Sequence, residues 1–459
     1  MPPAAEASPA ASRQRRRDAA LLFVLALVVY NANGRVIGSG DTLPARFLPF
    51  ALLEHGTIYV DPVRAATTGG WPAPYWIRPS PNGHWVSTYP IATPLLVSPL
   101  YMPAVVWRRM TDAPESSLPI VGMVMEKVAA SLVASAMVAW FYLLLRRRAP
   151  RRDALLLAAA LGFATNTWMS GSQALWQHGV AELLVVAALW WLTAPPTAGN
   201  IAAAGAAAGL LAANRPPDAL LAAAFGLLAL DGERRRHLHW FVLAAAVPAL
   251  ATLSYNVSIV GHVSGGYAMG RAAREGFFGL PIGPGLAGLL LSPTKGLLVF
   301  SPFLLFVPLG FVHAWRDRRE RWTAGVLAGG VLAQLLLYAR TDWRAGFSYG
   351  PRFLADALPI LVWLLPPALR GLSAAGRAVF LAACLLSVAP QAIGAFFYSG
   401  YSDHVICCET GERRFAAAWD PRNTPFLFEL RYPRPTMDLA RLFVDRWAGH
   451  RSADRAPSR

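Results

Sequence analysis

The sequence predicts an all-α, multi-pass membrane protein, and three observations carry that expectation. Hydrophobic residues fill 55% of the 459 positions and charged residues only 15%, against roughly 25% charged in an ordinary soluble domain. Mean hydropathy is +0.38. The basic residues behind the formal net charge of +16 fall in short clusters between apolar runs, at 13–17, 146–152, 234–236 and 316–321. That is the distribution of cytoplasmic loops flanking spans, and it points away from nucleic acid.

A spanning helix needs about 20 mostly apolar residues. The runs that qualify are 19–37, 119–145, 153–169, 178–194, 200–214, 217–230, 239–260, 296–312, 322–339, 352–369 and 376–397, eleven in all. The first follows a basic stretch, but no small-residue cleavage site comes after it, so it reads as a retained helix and not a signal peptide. The apolar run 91–107 carries Pro94, Pro99 and Pro103. Proline removes a backbone donor and kinks a helix, so this run is expected to lie in the interface. Charge supports that placement: if 91–107 crossed, the later basic clusters would all face outward, whereas with eleven spans they all face the cytoplasm.

Three regions follow. Residues 1–18 form a basic cytoplasmic N-terminus, 19–397 a transmembrane domain and 398–459 a small tail on the outer side. Two outer loops are long, 38–118 and 261–295, and their Trp, Tyr, Gly and Pro content predicts ordered structure lying on the membrane, including juxtamembrane helices. Loops of such length are usually functional or disordered. Alanine-rich stretches at 153–160, 201–213 and 242–251 predict closely packed helices. The three cysteines, Cys384, Cys407 and Cys408, exclude a disulfide framework, although a bridge involving Cys407 and Cys408 stays open. No second Cys or His pair at ligand spacing suggests zinc.

Under this topology the polar residues gather at the outer face. Asp41 lies just beyond the first span with Arg46 five residues on, at the head of an amphipathic segment. Arg215, Lys295 and Arg352 are outward-facing cations beside helix ends, against the usual bias. His178, Tyr89, Asn256 and Tyr349 are polar or aromatic groups on the same side and are candidates for a substrate pocket. A carboxylate can take a proton from a hydroxyl while guanidinium and ammonium groups hold a phosphate. Each residue also has a plainer reading. Asp41 could cap the helix beginning near Thr42, and Arg46 could snorkel. His178 could be a hydrogen-bonded packing residue. Glu126 and Lys127 read as a structural pair, and Trp71, Trp76 and Trp85 as an interfacial belt.

The stretches SGDTLPARFLPF, STYPIATPLLVSPLY, YN at 255, SPTKGLLVFSP and SYGPRFL, with an aspartate in the first outer loop and a long loop after the seventh span, carry a resemblance. The chain resembles the GT-C integral-membrane glycosyltransferases that use polyprenyl-phosphate sugars, such as protein O-mannosyltransferases and the lipid A aminoarabinose transferase. The resemblance covers 19–312 as architecture. It implies transfer of a sugar from a polyprenyl-phosphate donor to an acceptor glycan, lipid or protein on the periplasmic side of a bacterial inner membrane, with inversion at the anomeric carbon as part of that expectation. Asp41 matches the catalytic first-loop aspartate, although Thr42 follows it where an Asp-Glu pair is frequent. Arg215 matches a basic residue on the donor phosphate. Arg46, Lys295 and Arg352 are assigned to the phosphate by charge and position alone. No cofactor is expected; the resemblance leaves a divalent metal open, and no ligand cluster indicates one. The rival expectations are a transporter or lipid flippase, which needs polar residues along a path through the membrane centre, and a non-catalytic envelope scaffold.

Overall fold

The computed structural model describes residues 9–71, 74–266, 278–344, 346–407 and 413–434. Helices dominate, and among the described residues the one sheet is a two-stranded hairpin in the first long loop. Each of the eleven predicted runs is wholly or largely helical. Among the described residues, four helices are long and apolar enough to cross a membrane: Glu115–Leu145, Gly232–Val260, Arg321–Ala339 and Ala374–Phe397. The other runs are shorter or broken. The 296–312 run divides at Ser301 and Pro302, and the 352–369 run at Leu364 and Leu365. The first helix, Pro9–Asn31, begins well before the predicted boundary at residue 19.

The run containing three prolines is a continuous helix, Ala92–Met110, with Pro99 and Pro103 inside it. It packs on helix Leu43–His55 and leaves Leu95, Leu96, Met102, Val106, Trp107 and Met110 exposed. One apolar face is thus uncovered by protein. The alanine-rich helices Ala198–Asn214 and Leu238–Tyr255 approach to backbone contact: a Cβ on Gly205 would lie 2.2 Å from the Phe241 carbonyl oxygen.

The 146–152 and 316–321 clusters meet through ion pairs, joined by acids and arginines next to other helix ends. Arg148 and Arg370 both reach Glu320 (2.7 and 3.4 Å), Arg151 binds Asp18 (2.7 Å), and Arg377 binds Asp153 (3.1 Å). Asp18 also accepts from the Tyr142 hydroxyl at 2.7 Å. Asp18 lies 13 residues before Asn31 on one helix, so this junction and the polar groups beyond Asn31 are separated by about 20 Å of helix.

The tail folds back as helices Tyr401–Cys407, Arg413–Trp419 and Pro425–Arg431. Glu429 accepts from the backbone N–H and hydroxyl of both Ser399 and Ser402, which ties the last of these helices to the first. Cys384 is buried and unbridged. Cys408, the predicted patch at 437–447 and the outer-loop residues Arg271, Arg274 and Glu275 lie outside the described residues.

Candidate functional site

Asp41 sits in a 3₁₀ turn, Gly40–Thr42, directly before helix Leu43–His55. Ser39 caps this turn, its hydroxyl accepting from the Asp41 backbone N–H at 3.1 Å. The Asp41 side chain makes no cap, so the plain capping reading does not hold. Both of its oxygens are used elsewhere. Oδ1 accepts from the Tyr75 and Tyr89 hydroxyls, each at 2.6 Å, and Oδ2 from Arg352 Nη1 at 2.8 Å.

The hairpin explains why two tyrosines meet at one carboxylate. Strands β1 (Ile77–Pro79) and β2 (Trp85–Ser87) pair with Ile77 opposite Ser87. Carried two residues outward, that register sets Tyr75 opposite Tyr89, with the Thr88 N–H donating to the Trp76 carbonyl between them (3.0 Å). Facing side chains two apart share one face of a ladder. Trp76 is buried, its indole N–H donating to the Thr67 carbonyl at 2.7 Å, and its ring lies over Gly40, where a Cβ would come within 2.3 Å. The predicted interfacial belt is therefore divided: Trp71 is exposed, Trp76 is a core residue of the loop, and Trp85 stacks under the Arg64 guanidinium at 3.7 Å.

Arg352 opens a 3₁₀ turn, Arg352–Ala357, and its guanidinium lies 4.7 Å from the Trp176 ring centre. Four residues later in the same segment, Asp356 binds His178 and Arg215. His178 Nδ1 is 2.8 Å from Asp356 Oδ1, and Arg215 Nε is 3.0 Å from Asp356 Oδ2. Arg215 Nη2 donates to the Tyr338 hydroxyl at 2.7 Å. Arg215 follows helix Ala198–Asn214, which Pro216 and Pro217 stop. Asn214 fixes that corner, donating to the Gln177 carbonyl (2.9 Å) and accepting from the Thr93 hydroxyl (2.5 Å).

These groups surround a recess with about 50 Å³ of room for water-sized groups. It is lined by Asp41, Tyr89, Trp176, Gln177, His178, Arg215, Arg352 and Phe353. Burial alone would raise the Asp41 carboxyl, but the charge of Arg352 and the hydrogen bonds from Tyr75, Tyr89 and Arg352 outweigh it and hold the group below the usual aspartate value. Asp41 is an anion at neutral pH. A carboxylate and two guanidiniums facing one open space can receive an anionic group and a hydroxyl together.

Of the predicted site residues, Asp41, Tyr89, His178, Arg215 and Arg352 line this recess. Four do not. Arg46 pairs with Glu126, its Nε 2.6 Å from Oε2, so the expected Glu126 and Lys127 pair is also replaced: Lys127 instead donates to Gln173 (2.6 Å) and Asn33 (3.2 Å). Lys295 is buried and binds Asp403 at 2.8 Å and the Ser348 carbonyl. Tyr349 is packed between Phe300 and Tyr398 and donates to the Pro390 carbonyl at 2.5 Å. Asn256 holds the following turn, donating to the Val263 carbonyl at 3.2 Å. Tyr75, Trp176, Gln177, Tyr338, Phe353 and Asp356 were not predicted as site residues. Asp356 had a legible signal, an acid one helical turn after Arg352 inside an otherwise apolar run. Tyr75 had none without the hairpin register.

Among known proteins, no family model matches the chain, and no curated protein sequence matches it. Among the described residues no group of three or more His, Cys, Asp or Glu side chains is arranged to hold a metal ion.

Proposed function

We propose that the chain is a multi-pass membrane glycosyltransferase of the GT-C type, with eleven spans and its recess on the periplasmic side of a bacterial inner membrane, which moves a sugar from a polyprenyl-phosphate donor to an acceptor hydroxyl. The supporting observation is the convergence of one ionised carboxylate and two guanidiniums, from three distant parts of the chain, on a recess open to solvent. In this reading Arg215 and Arg352 hold the donor phosphate. The acceptor oxygen attacks the anomeric carbon from the side opposite the phosphate, the bond from that carbon to the phosphate oxygen breaks, and Asp41 takes the acceptor proton. The polyprenyl phosphate leaves with the bonding electrons, and the anomeric carbon is inverted.

Arg352 gives the scheme its timing. While it sits on Asp41 Oδ2, the carboxylate is a weak base. A phosphate that draws the guanidinium away leaves Asp41 with the two phenol donors and a higher proton affinity. The test is release of free polyprenyl phosphate by the purified protein given a polyprenyl-phosphate sugar and candidate acceptors. Wild type is expected to turn over and a folded Asp41→Asn variant to lose at least about 100-fold. Undiminished turnover in that variant removes Asp41 as the base, and no release by wild type with any acceptor overturns the reading.

A further inference from the structure

The contacts of His178 determine where its protons sit. Nδ1 faces Asp356 Oδ1 at 2.8 Å, and an ionised carboxylate only accepts, so Nδ1 carries hydrogen. Nε2 is 2.8 Å from Arg215 Nη1, which also lies 3.1 Å from Nδ1. A guanidinium only donates. Nε2 must therefore offer a lone pair, because an imidazolium would point an N–H at another N–H. In the ligand-free protein the Arg215 contact keeps His178 neutral.

That contact can be exchanged for another while Arg215 keeps its carboxylate and phenol partners. Arg215 keeps Asp356 through Nε and Tyr338 through Nη2 without it, and Asp218 Oδ2 lies 3.7 Å from Nε. Arg215 and His178 both line the recess. We propose that an anionic phosphate bound in the recess takes Nη1 of Arg215, and that His178 Nε2, released, picks up one proton from solvent and donates it in a hydrogen bond to the same phosphate. Phosphate capture is then coupled to proton uptake, with the imidazolium lying between two anions. The charged groups facing it are Asp356 and Arg352 from the 352–357 turn, Arg215 and Asp218 from the 215–218 turn, and Asp41 across the recess. Glu182, one turn along its own helix, is engaged by the Thr167 hydroxyl at 2.6 Å. Before binding, Arg215 and Arg352 oppose a further cation; the added phosphate offsets that opposition.

This inference rests on the reading of the recess as a phosphate site, and the experiment separates the two. The probe is farnesyl methyl phosphate, a phosphodiester with one fixed negative charge and no proton to gain near neutral pH, so any proton taken up belongs to the protein. Calorimetric titration of the full chain in two buffers of different ionisation enthalpy counts that proton. Wild type is expected to take up between about a half and one proton per ligand, and its affinity to rise by up to roughly tenfold per pH unit as pH falls from 8 toward 6. His178→Gln is expected to bind without uptake. Binding by wild type with no uptake and a flat affinity profile overturns the coupling and leaves the phosphate site standing; uptake that persists in His178→Gln does the same. No binding by wild type overturns both. Should His178→Gln not fold, the wild-type profile alone decides.

Discussion

Two buried ionic clusters invite comparison, because sequence reasoning placed their cations in a single ring. In one, Arg352 and Arg215 meet Asp41, Asp356 and His178 at the recess. In the other, Lys295 meets Asp403 under the folded-back tail, with Asp403 also accepting from the Tyr398 hydroxyl. Lys295 and Asp403 are each 1% exposed, whereas the Asp41 side chain keeps 21% of its surface open. The acids respond oppositely. Burial dominates at Asp403 and pushes its carboxyl above the usual value despite Lys295 and Tyr398. At Asp41 burial is outweighed by Arg352 and the two phenols. A pair of opposite charges is common to both; what separates a candidate site from a structural lock is empty space beside the pair.

That contrast can be broken by experiment, and the largest effect is expected at the lock. Lys295→Met leaves Asp403 buried without its cation and should cost about 3–5 kcal/mol in unfolding experiments, most of it recovered when Asp403→Leu is added. A stable Lys295→Met protein that has lost turnover would move Lys295 back to the site. Next comes Arg352→Met. It removes a phosphate donor and should lower release of polyprenyl phosphate about 100-fold, while an ion pair with one partly exposed partner costs about 1 kcal/mol of stability. A large loss of stability with normal turnover would make it a second lock. The smallest effect is acid dependence. Because the Asp41 carboxyl is held below its unfolded value, its contribution is full above about pH 4 and fades as pH falls through the folded value. The stability gap between wild type and Asp41→Asn should therefore shrink on acidification, and a gap that widens would contradict the ionised Asp41.

Part of this was legible in the chain itself. Long apolar runs declare helices directly, and all eleven are wholly or largely helical, four of them within helices long and apolar enough to cross a membrane. Asp41 stood out as the carboxylate just beyond the first apolar run, and Arg215 and Arg352 as cations beside helix ends on the side where the usual bias expects few. The proline-containing run 91–107 is helical, with Pro99 and Pro103 inside the helix and one apolar face exposed.

The amino-acid order alone determined which segments are helical and which acids and cations lie near their ends. It could do so because hydropathy and helix-end signals act over neighbouring residues. Only the tertiary structure decided which cation meets which acid. Arg46 went to Glu126, Lys295 to Asp403 and Arg352 to Asp41, and Tyr75 and Tyr89 reached Asp41 through a strand register. Those pairings depend on the sideways packing of helices and the angle of each turn, and side chains of like charge at like positions carry no local record of either.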